Sequence, residues 1–409
     1  MPTKPLPLPE FIILTAMIMA SVAFSIDSML PAMTAIAEEL TPDAPNRAQL
    51  IITSFVLGMG VGTLFTGPLS DRFGRKPVVL FGFVLYFFGA FLSWAAPTLE
   101  LVLLARVFQG IGAAGPRIAI LAIVRDQFEG RRMAQVMSFA MMVFTLVPAV
   151  APLMGSFIID AIGWRGIFLA YMAWAVAILV WVAVRQGETL HPEDRRPFRL
   201  NTIVRGSIEI LSIRAVTVTI AILALVFGVL FGTLSTVQPI FAQTFGAEES
   251  FPKWFGGISL ISAGASFLNA RIVVQIGMRA VIRWTLWTEL AISTLIAVIA
   301  LTGAFEGTAY FILFLIWIQS IFFMAGLCIG NLNALAMEPL GHLAGLGASL
   351  ISAIATVAAV AVAAPIGLSF DGTPISLAVG TALCCAGSLA LMQLLGPSTH
   401  TAPTTDPAA

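Results

Sequence analysis

The stretch Gly67–Pro77, GPLSDRFGRKP, packs an acid and three bases between two long apolar runs. Residues 48–66 before it and 78–95 after it are almost wholly hydrophobic, each long enough to cross a bilayer core of about 30 Å as a helix. The stretch itself is therefore expected to be a loop at a membrane face. Asp71, Arg72, Arg75 and Lys76 cannot enter hydrocarbon cheaply. Gly67 and Gly74 let backbone approach closely, and Pro77 suits the first turn of the following helix.

Composition extends that reading to the whole chain. Of its 409 residues 59% are hydrophobic and 10% charged, against roughly 25% charged in a soluble domain. Apolar runs lie near 10–34, 48–67, 77–96, 99–124, 133–159, 166–185, 213–240, 252–275, 281–303, 308–335, 343–368 and 375–396, twelve in all. The first is not a secretory signal: it is too long for a signal core, contains Asp27 and is followed by further spans. With the amino terminus inside, one side of the membrane holds Lys4, Arg72, Arg75, Lys76, Arg125, Arg131, Arg132, Arg185, Arg195, Arg196, Arg199, Arg205, Arg214, Arg271, Arg279 and Arg283. The other holds Arg47, Arg165 and Lys253, so both termini are expected in the cytoplasm. The longest polar segment, 186–212, divides the chain into a 1–185 bundle and a 213–396 bundle, and the polar 397–409 tail is expected to be disordered.

Several function classes drop out. The formal net charge is zero and no basic tract with interleaved aromatics suggests nucleic acid. His191, His342 and His400 are scattered, with no nucleophile and base constellation and no metal-ligand cluster, so neither an enzyme nor a cofactor is expected. Cys328, Cys384 and Cys385 lie inside apolar runs and read as small packing residues.

The opening stretch closely resembles the loop between helices 2 and 3 of the major facilitator superfamily, roughly G-x-L-[AS]-D-R-x-G-R-[KR]-[PR]. The resemblance implies an all-α membrane protein of twelve transmembrane helices in two six-helix bundles, each made of inverted three-helix repeats. An echo of the stretch, without its acid, recurs as Asn269, Arg271, Gly277, Arg279 and Arg283. Asp27 and Pro31 resemble the D-x-x-x-P of the bicyclomycin/chloramphenicol branch of drug:proton antiporters. Arg106, Gln109 and Gly110 resemble the R-x-x-Q-G of helix 4, whose arginine is linked to proton coupling. Of the antiporter pattern in helix 5 only Pro152, Gly155 and Ser156 are recognisable.

Ionisable residues deep in a span are functional candidates, because burial at a helix centre costs about 2.5 to 3.5 kcal/mol even on lenient scales. Asp27, Arg106, Arg117 and Glu289 are that set. Pro31 leaves the Asp27 carbonyl without its helical partner, so a bend is expected beside an acid able to hold and release protons; the alternatives are a solvated acid or one locked in an ion pair. Arg106 and Arg117 fall within about 20° of one helix face. Arg117 either pairs with Asp27 or holds an anionic part of a substrate. Glu289 either snorkels or has a packing partner. Gly110, Gly112 and Gly115 match a dinucleotide fingerprint, but mid-span, where it has no meaning. Pro148, Pro152 and Gly155 favour a kinked helix at a moving seam. Asn331, Asn333, Phe231 and Gln238 are candidates for a cavity wall. Arg125, Asp126, Arg131 and Arg132 either form a gating network with Asp71 or are a solvated loop.

The resemblance implies an exporter, in a bacterial inner membrane, of a small, partly apolar molecule in exchange for protons, acting as a monomer by alternating access. Asp27 and Arg106 would couple the proton. Arg117, Gln109, Asn331, Asn333, Phe231 and Gln238 would meet substrate. Gly67, Asp71, Arg72, Gly74, Arg75, Arg125, Asp126, Pro148, Pro152 and Gly155 would gate. A symporter or uniporter for a small organic anion or metabolite is the alternative; a receptor or enzyme on the same scaffold is a remote one.

Overall fold

The computed structural model describes residues 6–195 and 200–395. Lys4, Arg196, Arg199, His400, the side chain of His342 and the 397–409 tail lie outside the described residues. Among the described residues, twelve helical segments are long and apolar enough to cross a membrane, and their bounds follow the apolar runs closely.

Span 1 is α1 (Leu8–Asp27) and α2 (Met33–Leu40), joined by a 3-10 turn at Leu30–Ala32. The expected bend is thus a full break, with α-helical register ending at Asp27 and Pro31 inside the turn that follows. Spans 2 to 6 are α3 (Leu50–Phe73), α4 (Arg75–Ala95), α5 (Leu99–Gln127), α6 (Gly130–Ile162) and α7 (Gly166–Arg185). The linker contains α8 (Leu200–Ser212). Span 7 is α9 (Arg214–Gln243), and span 8 is interrupted at Ala263 between α10 (Phe251–Ser262) and α11 (Gly264–Ile276). Spans 9 to 12 are α12 (Met278–Thr302), α13 (Gly307–Met337), α14 (Ala344–Leu368) and α15 (Ile375–Gln393).

Gly67–Pro77 is not a loop. Its first seven residues finish α3, and α4 starts at Arg75, so Gly74 alone makes the turn. That turn needs glycine because φ is 105° there. Gly277, with φ 80°, makes the same one-residue turn between α11 and α12, which shows the internal repeat in backbone form.

α1 packs on α5, α6 and α7, and α5 on α3 and α4, to form the first bundle; α9, α12, α13 and α15 interlock in the second. The bundles meet along two seams, α3 on α14 and α6 on α10. Small residues bring helices to backbone contact. A β-carbon on Gly58 would lie 2.0 Å from the Val107 carbonyl oxygen, and one on Gly110 2.1 Å from that of Phe55. Gly112 and Gly115 face α4 in the same way, so the glycine spacing that imitates a nucleotide fingerprint is helix packing. Exposed Phe81, Phe157, Phe267 and Val274 form the kind of apolar perimeter that lipid covers.

An even number of spans returns both ends of the described chain to one face, the terminal face. At the opposite face the bundles are tied together. Asn46 Nδ2 donates to the carbonyls of Leu368 (3.2 Å) and Phe370 (2.5 Å), and Gln238 Nε2 to Thr34 Oγ1 (3.0 Å).

Candidate functional site

Asp27 is 4% exposed. Every residue from Ile18 to Leu30 is buried, so α1 turns no side to lipid near the acid. Among the described residues its carboxyl makes no ion pair and no hydrogen bond, although the helix around it is heavily bonded. Ser25 Oγ donates to Ser21 O (2.6 Å) and lies 2.5 Å from Tyr86 Oη. Tyr171 Oη donates to Ser25 O (3.0 Å) and lies 2.8 Å from Ser28 Oγ, while Trp174 Nε1 donates to Ser21 Oγ (2.9 Å). All these partners belong to the first bundle. Two residues beyond Ser25 a helix has turned by about 200°, so Asp27 leaves α1 on a different face from Ser25.

That rotation also separates the acid from Arg106, which is fully buried. Its guanidinium donates to Ser25 O (2.8 Å), Ile51 O (3.4 Å) and Gln109 Oε1 (2.7 Å), and stacks over Phe55, 4.4 Å from the ring centroid. The expected direct effect of Arg106 on the Asp27 charge is therefore replaced by a backbone contact: Arg106 grips α1 from behind at Ser25. Gln109 holds Arg106, and both its neighbours and its full burial keep it from a cavity. Gly155 closes the site from α6, where a β-carbon would sit 2.1 Å from Ser28 O. Pro148 and Pro152 lie within α6, which stays helical through both.

Arg117 does not pair with Asp27. It lies eleven residues beyond Arg106 on α5, about 16 Å further toward the terminal face. Its one polar contact among the described residues is Nη1 to Met59 Sδ at 3.8 Å, a weak acceptor. Glu289 does not snorkel. It is 2% exposed and its Oε1 accepts from Ser293 Oγ (2.8 Å), which accepts from Trp317 Nε1 (2.9 Å).

The cavity-wall candidates of the second bundle are engaged elsewhere. Asn331 is buried and donates to Asn269 Oδ1 and Leu327 O, both at 2.7 Å, tying α13 to α11. Asn333 donates to Ile329 O in its own helix (2.9 Å). Phe231 is buried and stacks on Phe227. Gln238 belongs to the seal described above and also donates to Glu248 (2.9 Å).

At the terminal face Arg75 joins Asp71 (2.6 Å), Ser70 (3.0 Å) and Asp126 (3.3 Å). Arg72 lies over the Phe73 ring, and Gly67 faces Ser349 of the second bundle. Arg125, Arg131 and Arg132 are exposed and make no ion pair among the described residues. The network therefore lies within the first bundle and the start of the linker. A residue the sequence reading missed completes it. Glu188 accepts from the backbone N–H groups of Arg75 (2.9 Å) and Lys76 (3.2 Å), placing a carboxylate at the N-terminus of α4. Tyr86 and Tyr171 were also missed. The chain has three tyrosines, and two of them converge on the Ser21, Ser25 and Ser28 face; that spacing of hydroxyls on one stripe was the available signal.

Two six-span bundles meeting along two seams, with an acid at a helix break that has no bonding partner among the described residues, are the frame of a membrane transporter. The sequence profile of the Major Facilitator Superfamily matches residues 13–364, and the chain belongs to that family of transporters, not to an enzyme family. It is 31% identical over 263 residues to a bicyclomycin resistance protein homolog of Haemophilus influenzae, a match covering 64% of this chain and 65% of the relative. It is 35% identical over 158 residues to the multidrug resistance protein MdtL of Shewanella oneidensis, covering 38% of this chain and 39% of that one. A solved D-xylose-proton symporter superposes with a TM-score of 0.71 at 15% identity, over 95% of this chain and 98% of its own, a likeness of fold alone.

Proposed function

We propose that this chain exports a small, partly apolar molecule across a bacterial inner membrane in exchange for protons, with both termini cytoplasmic. The observation that supports the reading is the Asp27 carboxyl: buried, without a bonding partner among the described residues, and set at a helix break. A carboxylate without a compensating partner in a protein interior is costly, and a group so placed exchanges its charge for a proton when water reaches it. Protonated from outside, Asp27 releases its proton inward as the bundles rock, and substrate and proton compete for the space between them. Arg106 is a positioning residue in this scheme, fixing the backbone on which the acid is mounted. The likeness to a bicyclomycin resistance protein homolog and to a multidrug resistance protein supports a drug-like cargo.

The test uses the purified protein in proteoliposomes with bicyclomycin as first probe. An imposed proton gradient should drive bicyclomycin against the direction of proton flow, an uncoupler should stop it, and Asp27→Asn should abolish it while the protein still assembles. Gradient-driven transport at the wild-type rate in Asp27→Asn removes this acid from the mechanism; movement with the protons would make the chain a symporter.

A further inference from the structure

The two arginines of α5 stand on nearly one face and are served very differently. Arg106 has three oxygen acceptors and an aromatic face, and is sealed. Arg117 has no oxygen acceptor among the described residues, and it is only half-buried. Its exposed surface does not face lipid. The lipid-facing stripe of α5 is Leu101, Leu104 and Phe108, all exposed, and Arg117 lies about 160° around the helix from Leu101. Protein surrounds the residue on that side, with Met59 of α3 against its guanidinium. A partly exposed group pointing inward from the lipid perimeter opens into an interior space.

A cation carried into a span without a partner is expensive, so its retention asks for a partner that comes and goes. Among the described residues no acid is bonded to Arg117, and several are held elsewhere. Asp71 and Asp126 are held by Arg75, Glu10 by Arg185, Glu39 by Arg165, Glu100 by Arg47 and Glu289 by Ser293. Asp27 is several helical turns away. Arginine presents a planar fork of N–H donors suited to two oxygens of a carboxylate, sulfonate or phosphate.

The geometry points to Arg117 as the anion-recognition site of the transport pathway: the cargo is a small amphipathic molecule with an anionic group. This inference rests on the transport reading above and narrows its cargo. The anion meets Arg117 on the terminal-face side, and the apolar body extends past the Met59 thioether toward Asp27. Each end of the cargo then has its own recognition: Arg117 takes the anion, and the apolar body takes the space beside Asp27 for which the proton competes.

A matched series tests this on the purified full chain in nanodiscs: 4-phenylbutyrate, its amide and its amine, followed by tryptophan fluorescence. The carboxylate should bind tighter than the amide by roughly ten- to hundredfold, the range for a hydrogen bond to a charged group. Arg117→Gln should bring the carboxylate down to the affinity of the amide, with saturable amide binding reporting an intact fold, and Arg117→Lys should keep part of the preference. Asp27→Asn should keep the full preference, so a failure of proton coupling and a failure of anion recognition give different results. Replacing zwitterionic lipid with phosphatidylglycerol should change nothing; competition by the anionic lipid would assign Arg117 to a headgroup and overturn the proposal. Equal affinity for acid and amide, a preference that survives Arg117→Gln, or no anion binding at all would overturn it too.

Discussion

Asp27 and Glu289 are the two acids buried deep in the spans, one in each bundle, and their surroundings differ in every respect but burial. Glu289 ends a chain of donors from Trp317 through Ser293, within the packing of α12 against α13. Asp27 has no donor among the described residues and sits where a helix breaks. Burial alone therefore does not identify a proton carrier. An acid whose oxygens are already bonded is part of the packing, and one left unbonded beside a movable seam can change its charge without breaking the structure around it.

Substitutions sharpen the contrast, and the largest effect belongs to the mounting of Asp27. Arg106→Ala takes the guanidinium from Ile51 O and Gln109 Oε1, leaves Ser25 O with Tyr171 alone, and opens a cavity, so it should destabilise the first bundle by about 3 to 5 kcal/mol. Thermal unfolding in detergent checks it, and Arg106→Lys should recover only part because it lacks the fork. Gly155→Val comes next. Its side chain would meet Ser28 O and push α6 off the break in span 1, costing about 1 to 3 kcal/mol by overpacking and lowering transport with it. Glu289→Gln should be the mildest. The amide oxygen still accepts from Ser293, so stability should change by less than about 1 kcal/mol, with gradient-driven transport retained. A loss of coupling in Glu289→Gln would erase the distinction between the two acids.

Much of the fold was legible because hydrocarbon imposes length and apolarity on each span, and the apolar runs answer to that directly. The broken first span followed from Pro31. What was not legible depended on rotation and on other segments. Asp27 and Arg106 read as a coupling pair through two resemblances, which carry no orientation, whereas the 200° between Asp27 and Ser25 sets the acid on a different face of α1 from the one Arg106 grips. Glu188 gave no local sign of its role, since the helix end it bonds lies more than a hundred residues upstream. Asn331 looked like a cavity residue from its polarity, but Asn269, which the repeat had already singled out, takes its amide. Arg117 kept both readings until its distance from Asp27 removed one.

Proton release tests the central claim most directly. Bicyclomycin added to the purified protein in lightly buffered detergent, with a pH indicator dye, should release protons in stoichiometric step with binding in the wild type and in Glu289→Gln, and none in Asp27→Asn. Undiminished release from Asp27→Asn, or its loss in Glu289→Gln, would contradict the assignment of the exchangeable proton to the first span.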